Sequence, residues 1–435
     1  MKKRKKIILG SITGALALAL AGGGFWAYKT FVPQETPIDK NATVASNFYQ
    51  AVNKDWLLKT KIPADSPSID NFYTLDEDIK GKLKKDIKNL GEGKETSDIT
   101  GMSEFITFYK AASDYKQREK DGLEPLKPYL KEIEDIKDLN DLASKSASLT
   151  DKGIPLPFGY DVGTNAENTS QKQIQLTPPS ILLPDVSIYK DEASKKQYLT
   201  PIETATQKAL EMLGYSEKNS KRIVKEALEF DEIIAKYSLS NEEMSESKNL
   251  VHPKTAEEIN AYSGSFKLYD VIKGIMGRDL ETINVPNTKY FENYSKIVNQ
   301  DNFSKIKSWI LVQEAMAASN SLTEDYRLNF ASISMAIMGT QKPVSKEDTV
   351  YEMSVHLFSD VMSVYYGRKY FGEEAKTDVT GMIDKIKNVY RGRLQKNNWL
   401  TESTRNKAIE KLDKMKVFVG YQEDVNPGTK ELHLD

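Results

Sequence analysis

NWLTESTRNKAIEKLDKMKVFVGY, residues 398–421, holds the strongest helical pattern in the chain. Thr401 is placed to cap its N-terminus, where a side-chain oxygen takes a backbone N–H that the first turn leaves without a partner, and Glu402 brings a negative charge to the positive end of the helix dipole. Ala408, Leu412, Met415 and Val419 recur at helical spacing and make one apolar stripe, while Glu410 and Lys414 sit four apart on the opposite side. The spacing predicts an amphipathic helix packed on a core. It ends 14 residues before the last residue of the chain.

Working back from this helix, Val379, Met382, Ile383, Ile386, Val389, Tyr390 and Leu394 form the most regular stripe before it. Residues 355–366, 328–338, 309–316 and 266–275 read as further helices. Residues 204–239 form a long helical region, with Ala209, Leu210, Leu213, Ile223, Ala227, Phe230, Ile234 and Ala235 as core and Gly214 as its central turn. The alternation Gln173-Ile174-Gln175-Leu176 predicts a short strand closed by Pro178-Pro179. From Thr74 onward helix follows helix, with Phe105, Phe108 and Tyr109 on one apolar face. The fold class expected is mainly α, a large multi-helix domain with minor short strands.

At 435 residues, 39% hydrophobic and 29% charged with a formal net charge of −2, the composition is that of a globular body with no bulk attraction to nucleic acid. The absence of cysteine excludes disulfides, thiolate metal sites and a cysteine nucleophile. Residues 1–6 are a basic cytoplasmic segment, and residues 7–28 run without a charge and end in Phe25, Trp26 and Tyr28. That length spans a bilayer as a helix, and the positive flank orients it with the body outside. The pattern predicts a single-pass transmembrane signal anchor with the body outside the membrane. A cleaved signal peptide is the alternative, because Ala17-Leu18-Ala19 and Ala19-Leu20-Ala21 both fit a cleavage site, and the body would then be secreted. Residues 29–46 read as a linker.

Two stretches carry a family likeness. In the closing helix, Trp399-Leu400, Thr404-Arg405, Ala408, Lys411-Leu412, Met415 and Val419-Gly420-Tyr421 resemble a segment of the neprilysin-like zinc endopeptidases, in particular the bacterial oligopeptidase O group, with Arg405 for the usual Lys and Gln422 for the usual Pro. Near the other end Phe48, Tyr49, Val52, Asn53, Trp56, Leu57, Ile62 and Pro63 answer to a second family pattern, which Phe72 and Leu75 continue; Asn47, Ala51 and Lys54 depart from it. Leu183-Pro184-Asp185 with Tyr189, and the turns at Gly122-Leu123 and Gly153, resemble further family positions. The resemblance implies that residues 47–421 are the neprilysin-like N-terminal helical domain, which encloses the substrate in a cavity admitting modest peptides. Residues 422–435 would then be a tail leading toward a zinc catalytic domain that this chain lacks. By the same register, the two arginines with which neprilysin reaches bound peptide fall on Ser68 and Asp76, so that binding role is not carried over and the substrate-binding residues stay unknown.

A zincin needs two histidines one helical turn apart, with a glutamate between them to activate the metal-bound water. His252, His356 and His433 are spaced far too widely for that motif. Glu352 and His356 sit four apart but lack a third ligand, and neither a nucleophile elbow nor a phosphate-binding glycine loop is present. The sequence therefore assigns no catalytic and no metal-binding residue; zinc belongs to the full-length family. Three readings stay open: the substrate-enclosing part of a membrane-anchored zinc endopeptidase acting on oligopeptides and inactive alone, a non-catalytic surface module binding peptides or protein, and one half of a split peptidase whose exposed apolar face a partner covers.

Overall fold

The computed structural model describes residues 38–166 and 168–431. The anchor expected at residues 7–28 and His433 lie outside them. Among the described residues, no helix is long and apolar enough to cross a membrane. The structure is mainly helical with four short strands, and its contacts divide it into two units: residues 38–69 with Lys116–Val344, and Asp70–Tyr115 with residues 345–431.

In the larger unit the helix Glu217–Tyr237 lies against the helix Phe303–Ala317. Ser216 caps the first of these, its side chain accepting from the Asn219 N–H, and Ile223, Val224, Ala227, Phe230 and Ile234 are all buried. Phe230 meets Trp309 edge-to-face at 5.9 Å, both fully inside, so an aromatic contact joins these two helices within the core. The helix Glu192–Met212 packs on both and on Glu324–Met338, and Gly214, at φ +97°, makes the turn out of it. The helical region read over 204–239 is thus two helices on either side of the turn expected at Gly214, the first of them beginning earlier, at Glu192.

A four-stranded sheet edges this core in the order β1-β2-β4-β3, with β1 Gly159–Thr164, β2 Lys172–Thr177, β3 Pro253–Lys254 and β4 Ile283–Asn284. β1 and β2 form an antiparallel hairpin with Tyr160 opposite Leu176, β2 runs parallel to β4, and β3 antiparallel to it. Ile174 and Leu176 face the core, which is what the alternation predicts. Phe158, Phe266, Tyr290, Phe291 and Tyr294 form an aromatic layer in the same core, and Tyr290 donates its hydroxyl to the Pro157 carbonyl at 2.8 Å.

The smaller unit is built from the helices Asn71–Gly91, Met102–Ala112, Lys346–Leu357 and Ser359–Tyr366 around Leu83, Ile87, Phe105, Phe358 and Val361. The single helix expected over 355–366 is broken at Phe358, whose φ −108° and ψ 37° leave the helical region while its ring docks on Phe105 at 5.7 Å. A π-helical turn, Gly367–Phe371, leads through Gly372 at φ +75° into the longest helix, Gly372–Gln395.

The closing helix runs Glu402–Lys414, shorter than the pattern suggests. Thr401 caps it as expected, accepting from the Thr404 N–H at 3.3 Å, and Glu410 pairs with Lys414 at 2.7 Å. Met415 is already extended, at ψ 115°, and Val419 belongs to a strap rather than to the stripe. The run Val417-Phe418-Val419 is β-branched and aromatic and favours extended backbone. Gly420, at φ +71°, then turns the strap so that Tyr421 rests on Gly367.

Candidate functional site: an uncovered apolar face

The residues with metal-binding or catalytic character lie apart. His252 sits in the loop before β3, its backbone N–H held by Asn284 Oδ1 at 2.6 Å. His356 is in the last turn of Lys346–Leu357, one turn after Glu352, which is engaged by Lys80 at 3.1 Å. Among the described residues, no group of three His, Cys, Asp or Glu side chains could hold a metal ion. The zinc of the resembled family therefore does not fit the residues described here, and no reaction step is derived through it. Ser68 and Asp76 are both exposed.

The buried charges secure the fold. Asp231 is fully buried in the larger unit, where its carboxylate accepts from the Tyr189 hydroxyl, from Trp309 Nε1 at 2.9 Å and from the Leu182 N–H at 3.0 Å. Burial pushes its carboxyl up to about 6, against the pull of those three donors. It pins the loop carrying Leu183-Pro184-Asp185 to the main helix pair. In the smaller unit Asp348 joins Asn71–Gly91 to Lys346–Leu357 by pairing with Lys84 and with Lys80 at 3.0 Å. Burial works against its charged form, but Lys84, Ser345 and Lys80 hold its carboxyl well below the usual carboxylate range. Lys369, in the π-helical turn, lies 2.9 Å from Asp86 and 2.7 Å from Glu95.

What the fold leaves open is apolar. The regular apolar stripe of Gly372–Gln395 finds no cover in this unit: the helix has no buried residue, and Ile386 is 64% and Val389 59% exposed. The stripe of the closing helix buries only Leu412, while Trp399 is 79% and Phe418 87% exposed. Periodicity is satisfied by any covering surface, and within this unit the two helices pack on one another and on the π-helical turn while their outer stripes stay open. In the larger unit the helix Phe48–Lys59 likewise buries only Gln50 and leaves Phe48, Tyr49 and Val52 in water. Open apolar stripes of this kind mark sites of interaction. Sequence reasoning found these residues as apolar stripes and family positions, and expected only the closing helix to pack on a core; the signal for an open face is the cationic residues interleaved with the longer stripe, Lys385 and Arg393.

Residues 44–422 match the model of Peptidase family M13. The chain is 32% identical to a neutral endopeptidase of Lactobacillus helveticus over 398 residues, covering 91% of this chain and 61% of the relative, and 30% identical to a neutral endopeptidase of Lactococcus lactis, covering 87% and 60%. Among solved structures, that of PepO from Lactobacillus rhamnosis superposes with a TM-score of 0.84 at 25% identity, covering 91% of this chain and 62% of the other. The inhibitor-bound zinc metalloprotease of Mycobacterium tuberculosis shares the fold with a TM-score of 0.75 at 19% identity, covering 87% and 57%. The chain thus spans about three-fifths of the length of the relatives it matches.

Proposed function

The chain belongs to peptidase family M13, the neprilysin-like endopeptidases, and from that premise we propose that it serves as the N-terminal, substrate-enclosing part of a zinc endopeptidase acting on oligopeptides. The observation that carries this reading is the identity of the apolar residues left open. Trp399 and Met415 in the smaller unit, and Phe48, Tyr49 and Val52 in the larger, are residues through which the sequence resembles the family, and their own fold leaves them exposed. Full burial of such a side chain is worth about 1.5–3 kcal/mol, which a chain folding only for itself forgoes at each position. A covering polypeptide recovers it.

In this reading the zinc ligands belong to the covering part, and this chain contributes enclosure and support rather than acid, base or nucleophile. Residues 2–6 and 7–28 tether the body outside a bacterial cell membrane as a single-pass anchor, a role that rests on their charge and apolar pattern.

Zinc content and peptide hydrolysis test the proposal. The chain alone is expected to hold no stoichiometric zinc and to turn over no peptide. The same chain continued by the portion of the Lactobacillus helveticus neutral endopeptidase that lies outside the match is expected to cleave oligopeptides. Turnover with bound zinc in the chain alone, or a folded and zinc-loaded fusion without turnover, would sink it.

A further inference from the structure

We propose that the open face of the helix Gly372–Gln395 docks a polypeptide surface that is apolar at its centre and acidic along one edge, a surface belonging to the zinc-bearing part inferred above. The inference rests on that reading and adds the chemistry of the partner surface. At 100° per residue, Met382, Ile386, Val389 and Tyr390 share one sector of the helix, and Lys385, Arg393 and Lys396 project into the same sector. All seven are exposed. Asp378 lies one turn before Met382, so the face runs from acidic at its N-terminal end through apolar to basic.

The cations on the inner side are already engaged. Arg391 pairs with Asp413 at 2.5 Å, and Lys387 donates to the Met415 carbonyl at 3.2 Å, both holding the closing helix in place. Lys385, Arg393 and Lys396 make no ion pair with any described residue, unlike Lys407 and Lys414, which both reach Glu410. From Met382 to Phe418 ten Lys and Arg stand against four Asp and Glu, a net +6 in a chain whose formal net charge is −2. The excess is therefore local to this pair of helices and their strap.

Charge decides between occupants. A second copy brings the same positive excess, and two such faces repel each other at moderate ionic strength. An acidic edge on a partner satisfies the three free cations while the apolar centre excludes water, and it fixes the register of docking in a way that an apolar stripe alone does not. An anionic lipid surface would also attract these cations. The family membership and the relatives' greater length favour a polypeptide.

Amide hydrogen exchange over residues 372–396 tests the proposal, comparing the chain alone with the fusion described above at about 0.05 M and about 0.5 M salt. The fusion is expected to exchange at least about tenfold more slowly there. The combined reversals Lys385→Glu, Arg393→Glu and Lys396→Glu are expected to remove most of that protection at low salt and much less of it at high salt. Protection insensitive to both reversal and salt overturns the acidic edge and leaves the proposed function standing. An unprotected helix in a fusion that still cleaves peptides overturns the docking alone. A folded fusion showing neither protection nor cleavage removes both readings. Should the fusion fail to fold, the two parts co-expressed as separate chains decide, and failure to co-purify overturns the docking. Sedimentation of the chain alone with phosphatidylglycerol vesicles, abolished by the triple reversal while the fused helix stays unprotected, assigns the face to lipid and overturns the polypeptide partner.

Discussion

Asp231 shows what a single residue does to this fold. Its folded carboxyl, pushed up to about 6 by burial, holds a proton more tightly than the ordinary 3.8 of an exposed aspartate. The sign follows: the group's contribution to stability is complete below about pH 4 and is lost as the pH rises through about 6, where the carboxylate must be kept charged inside the core. An asparagine does not ionise, and it turns an NH2 toward one of the three donors that Asp231 now accepts. Asp231→Asn is therefore expected to destabilise the larger unit by about 1–3 kcal/mol and to flatten this part of the pH dependence between pH 4 and 7. Urea unfolding followed by tryptophan fluorescence at several pH values checks it; an unchanged pH profile in the variant would locate the titrating group elsewhere. This pin was not legible in the sequence. Tyr189, Leu182 and Trp309 stand 42, 49 and 78 residues from Asp231, and only the fold brings them together. The loop motif and Tyr189 could be read off the chain, but not the acid that holds them.

At the scale of elements, the elbow between the smaller unit's core and its open helix pair depends on two glycines. A Cβ at Gly367 would stand 2.0 Å from the Tyr421 ring, and one at Gly420 would stand 2.6 Å from Phe371. Gly367→Ala is expected to expel the strap at a cost of at least about 2 kcal/mol, and Tyr421→Ala, which removes the ring, to recover a large part of that in the double variant. Thermal unfolding measures the cycle, and limited proteolysis within residues 415–426 reports the strap. Additive effects would mean that the ring is not what the new methyl meets. The Asp348 cluster tests the other end of the unit. Asp348→Asn leaves Lys84 without its carboxylate while Lys80 keeps Glu77 and Glu352, so a loss of about 1–2 kcal/mol is expected near neutral pH. That loss should shrink as the pH falls below the ordinary carboxylate range toward Asp348's depressed folded value, because the wild type then loses the same charge. Helices and caps were legible here because they are local: Thr401 and the Glu410–Lys414 pair lie within one or two turns. The end of the closing helix was not, because Met415 and Val419 continue the spacing while the strap's contacts with Gly367 and Phe371 pull the backbone away.

At the scale of the whole molecule, two helical apolar stripes met different fates. Ile223, Ala227, Phe230 and Ile234 are buried against a neighbouring helix, whereas Met382, Ile386 and Val389 face water. Helical period reports which side of a helix is apolar; what covers that side is a property of the assembly, and so the mainly helical class was legible while the open face was not. The difference can be measured by giving matched substitutions to the two stripes. Ile386→Lys with Val389→Glu places charges where the chain alone already presents the positions to solvent, so its unfolding free energy should change by no more than about 0.5 kcal/mol. Ile234→Lys, by contrast, buries an unpaired charge beside Phe230 and should prevent the larger unit from folding. If the Ile386–Val389 variant unfolds as readily as the Ile234 variant, that face is core after all, and an uncovered surface awaiting a partner would no longer account for this chain.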